Sequence, residues 1–186
     1  MQIQRIKALN PDTTTGKSKD LFNAVQRKLG MVPNMMRTMG NSPAVLSGYL
    51  SFSGALAESS LGTKLEEQIA LTVANINGCE YCNAAHSFIG EKLAGLSLDT
   101  IENARVANSV DPKSQAALSF AKLMVIERGR VSASDIESLK QAGFDEAAIA
   151  EIIAHTALNI FTNYFNNAVG TVVDFPKVEL AAVGAY

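Results

Sequence analysis

The sequence predicts an all-α fold, a single-domain helical bundle, and three observations carry that expectation. Ala, Leu, Glu, Lys and Met are frequent, and these residues lose little on entering a helix. Apolar residues recur at spacings of three and four in most long windows, while period-two alternation is scarce. All five prolines (Pro11, Pro33, Pro43, Pro112 and Pro176) fall between the resulting segments or at their first turns, where a missing N–H costs no helical hydrogen bond.

The segments follow in order. The first, about 18–29, stops at Gly30, and the second, about 34–40, closes at Gly40. A third, about 43–58, opens at Pro43. The fourth, about 63–77, opens on Thr63-Lys64-Leu65-Glu66, a capping-box pattern in which hydroxyl and carboxylate satisfy free N–H groups reciprocally. The fifth, about 80–94, stops at Gly95 and is followed by one over about 98–107. Asp111-Pro112 reads as an N-cap and first helical residue for about 112–128, which ends at Gly129. Ser132-Ala133-Ser134-Asp135 opens about 133–142, which Gly143 closes. The last, about 145–168, ends at Gly170. It is apolar on more than one side, which predicts a central helix or one at a subunit interface.

Residues 1–17 and 171–186 read as irregular, with Val172–Pro176 extended and packed on a neighbour. No linker, low-complexity block or strong repeat divides the chain, so 1–186 is expected to form one domain around a helical hairpin at about 63–95.

Composition narrows the function classes. The chain has 186 residues, 16 basic and 18 acidic, for a net charge of −2. Binding to nucleic acid or an anionic membrane needs a basic surplus, so neither partner is expected. No run of about 18 apolar residues predicts a transmembrane helix, and the start lacks a secretory apolar core. A cytoplasmic location is expected. Two cysteines are too few for a disulfide framework, and a close pair in a reducing compartment points to redox chemistry or metal binding.

Both cysteines lie in Cys79-Glu80-Tyr81-Cys82-Asn83-Ala84-Ala85-His86, which also holds one of the two histidines. On a helix, Cys79, Cys82 and His86 fall at about 0°, 300° and 340°, one narrow face. Residues three apart lie within disulfide reach. A helix N-terminus favours thiolate, and His86, one turn beyond Cys82, leans back toward that sulfur. A thiolate beside a second cysteine can open a peroxide O–O bond and then close to a disulfide, or exchange with an external dithiol. Glu67 sits on the preceding helix across the Asn77-Gly78 turn, near the level of His86, where direct contact and a bridging water are both open. A carboxylate there would orient the imidazole and support proton transfer. Glu66 competes for this role but, as the capping-box partner, is better explained by helix initiation.

Glu67, eleven residues, Cys79-x-x-Cys82, three residues and His86 resemble the signature of the carboxymuconolactone decarboxylase-like superfamily, in its alkylhydroperoxidase D branch. Gly30-Met31-Val32-Pro33-Asn34-Met35-Met36-Arg37 and Ser42-Pro43-Ala44-Val45-Leu46 are similar to segments preceding that core in peroxidase-related members. The resemblance implies an all-helical fold, a homo-oligomer (dimer, trimer or hexamer), and peroxidase or disulfide-reductase activity without a prosthetic group. It implies that Glu67, Cys79, Cys82 and His86 form a proton-relay site, with a hydroperoxide as substrate and a dithiol or thiol protein as reductant. One position departs: the branch has a histidine directly before the second cysteine, and here it is Tyr81. The lactone-decarboxylating branch lacks the cysteine pair, so its activity is not implied.

Cys82 is expected to attack, because His86 is one turn away, with Cys79 resolving and more accessible to a reductant. The helix N-terminus argues for the reverse order. A zinc site needs four ligands, and only His155 or Glu67 could add to the three. Two buried cysteines acting as small hydrophobes are the plainest alternative. His155 forms a polar stripe with Asn159, Asn163 and Asn166 or Asn167, either fixing helix packing or lining a pocket opposite Cys82. Tyr81 either hydrogen-bonds substrate or simply packs. Met31, Met35, Met36 and Met39 read either as core or interface filling or as admitting an apolar hydroperoxide. The rival function is a non-enzymatic redox-sensing or structural oligomer whose cysteine pair switches packing.

Overall fold

A computed structural model of the protein describes residues 3–182. Among these residues there are nine α-helices and no strand: α1 (Gly16–Leu29), α2 (Asn34–Met39), α3 (Pro43–Leu56), α4 (Thr63–Ile76), α5 (Glu80–Lys92), α6 (Leu98–Arg105), α7 (Pro112–Ile126), α8 (Ala133–Gln141) and α9 (Glu146–Val169). Each expected boundary lies within two residues of the observed one.

Local chemistry explains most starts. Asp111 accepts from the Ser114 N–H at 2.8 Å with Pro112 in the first turn, and Ser132 with Asp135 closes a full capping box. The expectation for Thr63 fails. Gly62, at φ 79°, is the cap residue of α4, and its carbonyl accepts from the Leu65 and Glu66 N–H groups. Thr63 is thus already helical, and Glu66 is released for a different contact. Gly40 ends α2 in an ordinary helical conformation and is required for space, because a Cβ there would run into the Phe22 ring.

Helix α4 is the pivot, packed against α5, α6, α7 and α9. On its far side Ile69, Leu71 and Val73 join Leu118 of α7 and Ile152 of α9, all fully buried. Burying each such side chain contributes about 1.5–3 kcal/mol. A second core gathers Phe22, Met39 and Leu46 from α1–α3 around Cys79, Tyr81 and Cys82. The α9 expectation of a central helix holds for one face: His155, Asn159, Asn163 and Asn166 are buried, while Tyr164 is exposed.

Residues 171–182 run without regular structure and fold back on the chain itself. The Asn34 N–H donates to Asp174 at 2.8 Å, and Asn34 Nδ2 donates to the Val172 carbonyl at 3.0 Å. Asn75 pairs in both directions with the Ala181 main chain. This arrangement brings Phe175 edge-on to Tyr81, with ring centroids 5.8 Å apart, and alongside Phe88.

Candidate active site

The α4–α5 turn builds the sulfur pair. Asn77 caps α4, Gly78 turns at φ 60°, and Cys79 becomes the N-cap of α5, its sulfur accepting from the Cys82 N–H at 3.3 Å. The two sulfurs lie 2.7 Å apart, both free and both buried. Cys82 lines a cavity of about 310 Å³, and Cys79 does not. The greater accessibility expected of Cys79 is therefore corrected: at the N-cap position it is fully buried.

The two thiols differ in acidity. Burial pushes the Cys82 thiol up. The Cys79 hydrogen bond, the His86 charge and the amides of Asn166 and Asn163 outweigh burial and pull it down to about 7. Cys79 moves the other way, held up by its hydrogen bond to Cys82 and by burial. Asn166 Nδ2 donates to Cys82 Sγ at 3.2 Å and also faces Met35 Sδ at 3.2 Å. Asn163 sits behind the sulfur rather than on the cavity wall. Its Oδ1 accepts from Asn77 Nδ2 at 3.0 Å, and its buried Nδ2 has no closed hydrogen bond.

His86 Nδ1 meets Glu67 Oε2 directly at 2.8 Å, which decides between contact and a water bridge. Burial alone would lower the His86 pKa. The Glu67 charge and hydrogen bond, with the Cys82 charge, raise it instead. With Nδ1 committed to the carboxylate, Nε2 is the nitrogen left to exchange a proton with the cavity.

Of the remaining candidates, Tyr81, His155 and Asn159 line the cavity. Tyr81 accepts from the Met35 N–H at 3.2 Å, and burial with the nearby Asp174 charge pushes its phenol above the usual range. Its hydroxyl is committed to positioning α2. His155 lies at the other end, its Nε2 3.3 Å from Ser59 Oγ and 3.7 Å from Glu66 Oε1. Burial lowers its pKa, against the raising effect of Glu66, Glu151 and Glu67.

Three further residues of the cavity bear on its chemistry. Glu66 accepts from Ser59 Oγ at 2.5 Å and faces the cavity. Tyr49 lines it too, its phenol pushed up to about 12, chiefly by burial. Met35, read as core filling or as admitting substrate, touches both the cavity and Asn166. Glu66 and Met35 stand out in the sequence, one through the capping pattern and the other through the methionine cluster, and Tyr49 does not. The polar stripe on α9 does resolve: Asn166 faces the sulfur, while Asn167 Nδ2 donates to the Asn77 carbonyl at 2.9 Å. Among the described residues no group of three or more His, Cys, Asp or Glu side chains is arranged to hold a metal ion. No helix among them is long and apolar enough to cross a membrane.

The sequence model of the carboxymuconolactone decarboxylase family matches residues 43–124, the span holding Glu67, both cysteines and His86. The similarity to that family thus spans a little under half of the chain. The fold is of the alkylhydroperoxidase D type. An uncharacterized peroxidase-related protein from Silicibacter sp. TM1040 shares 26% identity over 91% of each chain, with a TM-score of 0.80. The alkylhydroperoxidase AhpD core of a peroxidase-related protein from Ralstonia eutropha JMP134 shares 24% identity, with 92% and 93% of the two chains covered and a TM-score of 0.82. The debrominase Bmp8 has the same fold at 23% identity, with 85% and 86% of the two chains covered and a TM-score of 0.72. No curated protein matches the chain significantly.

Proposed function

We propose that the protein is a thiol-dependent peroxidase and disulfide reductase that reduces organic hydroperoxides through Cys82 and Cys79, with Glu67 and His86 as proton relay. The observation that supports this most directly is a lowered-pKa thiol on a cavity wall, hydrogen-bonded to a second thiol at 2.7 Å. The match of residues 43–124 to the carboxymuconolactone decarboxylase family and the likeness to peroxidase-related proteins agree with it.

In the proposed cycle the Cys82 thiolate attacks the terminal oxygen of the hydroperoxide, and the O–O bond breaks. The departing alkoxide takes a proton from His86 Nε2 and leaves as alcohol, while Cys82 becomes a sulfenic acid. Glu67 holds the imidazole and balances its positive charge. The Cys79 sulfur then attacks Cys82, the S–S bond forms, and the sulfenic hydroxyl leaves as water with the Cys79 proton. The sulfur pair has lost two electrons and the peroxide has gained two. An external dithiol returns them by exchange. The proposal includes self-association and a cytoplasmic setting.

The test is stoichiometric. Reduced protein treated anaerobically with one equivalent of organic hydroperoxide should lose both thiols and form one intramolecular disulfide. Two titratable thiols per chain after peroxide consumption conditions would end this reading.

A further inference from the structure

The cavity continues well beyond the chemistry at Cys82. Cys82 lines one end and His155 lines the other. The α9 wall runs from His155 to Thr162, about 10 Å along the helix at 1.5 Å per residue. Leu158 and Asn159 line the wall between them. The space is thus elongated, and most of its lining is apolar, with Leu29, Met36, Leu56 and Phe88 among the side chains facing it.

The two ends differ in charge. At the sulfur end the Glu67 carboxylate is matched by His86 at 2.8 Å. At the far end Glu66 is held by the neutral hydroxyl of Ser59, and its other neighbour, His155, has its charged form disfavoured by burial. Glu151, bonded to Ser60, adds a second negative charge nearby. Among the described residues no lysine or arginine lines the cavity. The far end therefore offers acceptors: the Glu66 carboxylate and a neutral imidazole.

We propose that this cavity selects elongated, uncharged hydroperoxides carrying a hydrogen-bond donor far from the peroxide, and that Glu66 with Ser59 and His155 turns away carboxylate-ended ones. The proposal rests on the peroxidase reading and adds the substrate class. A donor hydroxyl can reach the Glu66 oxygen or His155 Nε2. A carboxylate there would be buried against a like charge with no cation to pair it, and it would forfeit its hydration.

The test uses three alkyl hydroperoxides of about ten carbons, ending in methyl, hydroxyl or carboxylate, with kcat/KM measured at neutral pH. The hydroxyl-ended substrate should be used best, and the carboxylate-ended one at least about tenfold less well than the methyl-ended. In Glu66→Gln the carboxylate penalty should shrink to about threefold or less. Equal use of carboxylate- and hydroxyl-ended substrates by the parent protein would overturn the proposal while leaving the peroxidase reading intact, and so would an unchanged penalty in a folded Glu66→Gln protein. Failure to consume any of the three would sink the peroxidase reading, and this proposal with it. The comparison within the parent protein does not depend on how the variant folds.

Discussion

Cys79 and Cys82 stand one helical turn apart with their sulfurs 2.7 Å from each other, yet their proton affinities are driven in opposite directions. Cys79 Sγ donates to Cys82 Sγ, and that hydrogen bond helps to lower the Cys82 pKa, which suits Cys82 to the proposed role of nucleophile. A pair of this kind holds its acid and its base within a single hydrogen bond.

Replacing Cys79 by Ser or Ala separates these contributions. Hydrogen bonds to charged groups contribute roughly 1.5–3 kcal/mol, or one to two pKa units. Cys79→Ala should therefore raise the Cys82 pKa from about 7 by about one unit or more, and Cys79→Ser by less. The pH dependence of iodoacetamide alkylation reads this directly. Equal profiles for parent and Cys79→Ala would remove Cys79 from the activation of Cys82.

The Glu67–His86 pair predicts a pH window. The proposed peroxide attack needs Cys82 ionised, which favours pH above about 7, and His86 protonated, which its raised pKa extends above 6.5. Glu67→Gln should lower the His86 pKa, raise that of Cys82, and slow peroxide reduction about 10²-fold near neutrality. Rapid-mixing rates across pH would show the window collapsing from both sides.

The same shifts link stability to pH. The depressed Cys82 pKa contributes stability fully present above the ordinary thiol value of 9.0 and lost as pH falls through about 7. The raised His86 pKa contributes stability fully present below 6.5 and lost as pH rises through its folded value. Denaturant titrations of Cys82→Ser should lack the first dependence, and those of His86→Asn the second.

Asn166 acts on the sulfur from α9. Asn166→Leu should raise the Cys82 pKa by about one unit, and Asn166→Asp by more, because a carboxylate would repel the thiolate. Alkylation profiles check the order. An Asp variant more reactive than the parent would contradict it.

Ser132 gives a control away from the cavity. Ser132→Ala removes one side of a capping box and should cost about 1 kcal/mol, lowering Tm by about 2–4 °C, with peroxide turnover unaffected.

The helices were legible because their boundaries are set locally. Pro112 after Asp111, the Ser132–Asp135 box and the glycine stops each act within one turn, so no distant contact is needed to read them. The sulfur ridge was legible for the same reason. What escaped depended on packing across the chain. Thr63 and Glu66 satisfied a capping pattern, but the left-handed Gly62 performs the cap, and Glu66 instead meets Ser59 and His155. Asn166 and Asn167 could not be told apart until the rotation of α9 against α5 was known. Tyr49 gave no signal, since its apolar helix shows nothing of the wall it helps to form. The place of Cys79 near a helix end reads as accessible, and its full burial reverses that.

Residues 171–182, which carry Phe175 onto Tyr81 and anchor Asp174 at α2, are synthesised after everything they cover. The sulfur pair is therefore made some ninety residues before the segment that packs Phe175 on Tyr81 (~90, counting Cys82 to Asp174). The stretch of cavity wall that Phe175 supplies is thus the last part of the site to be put in place.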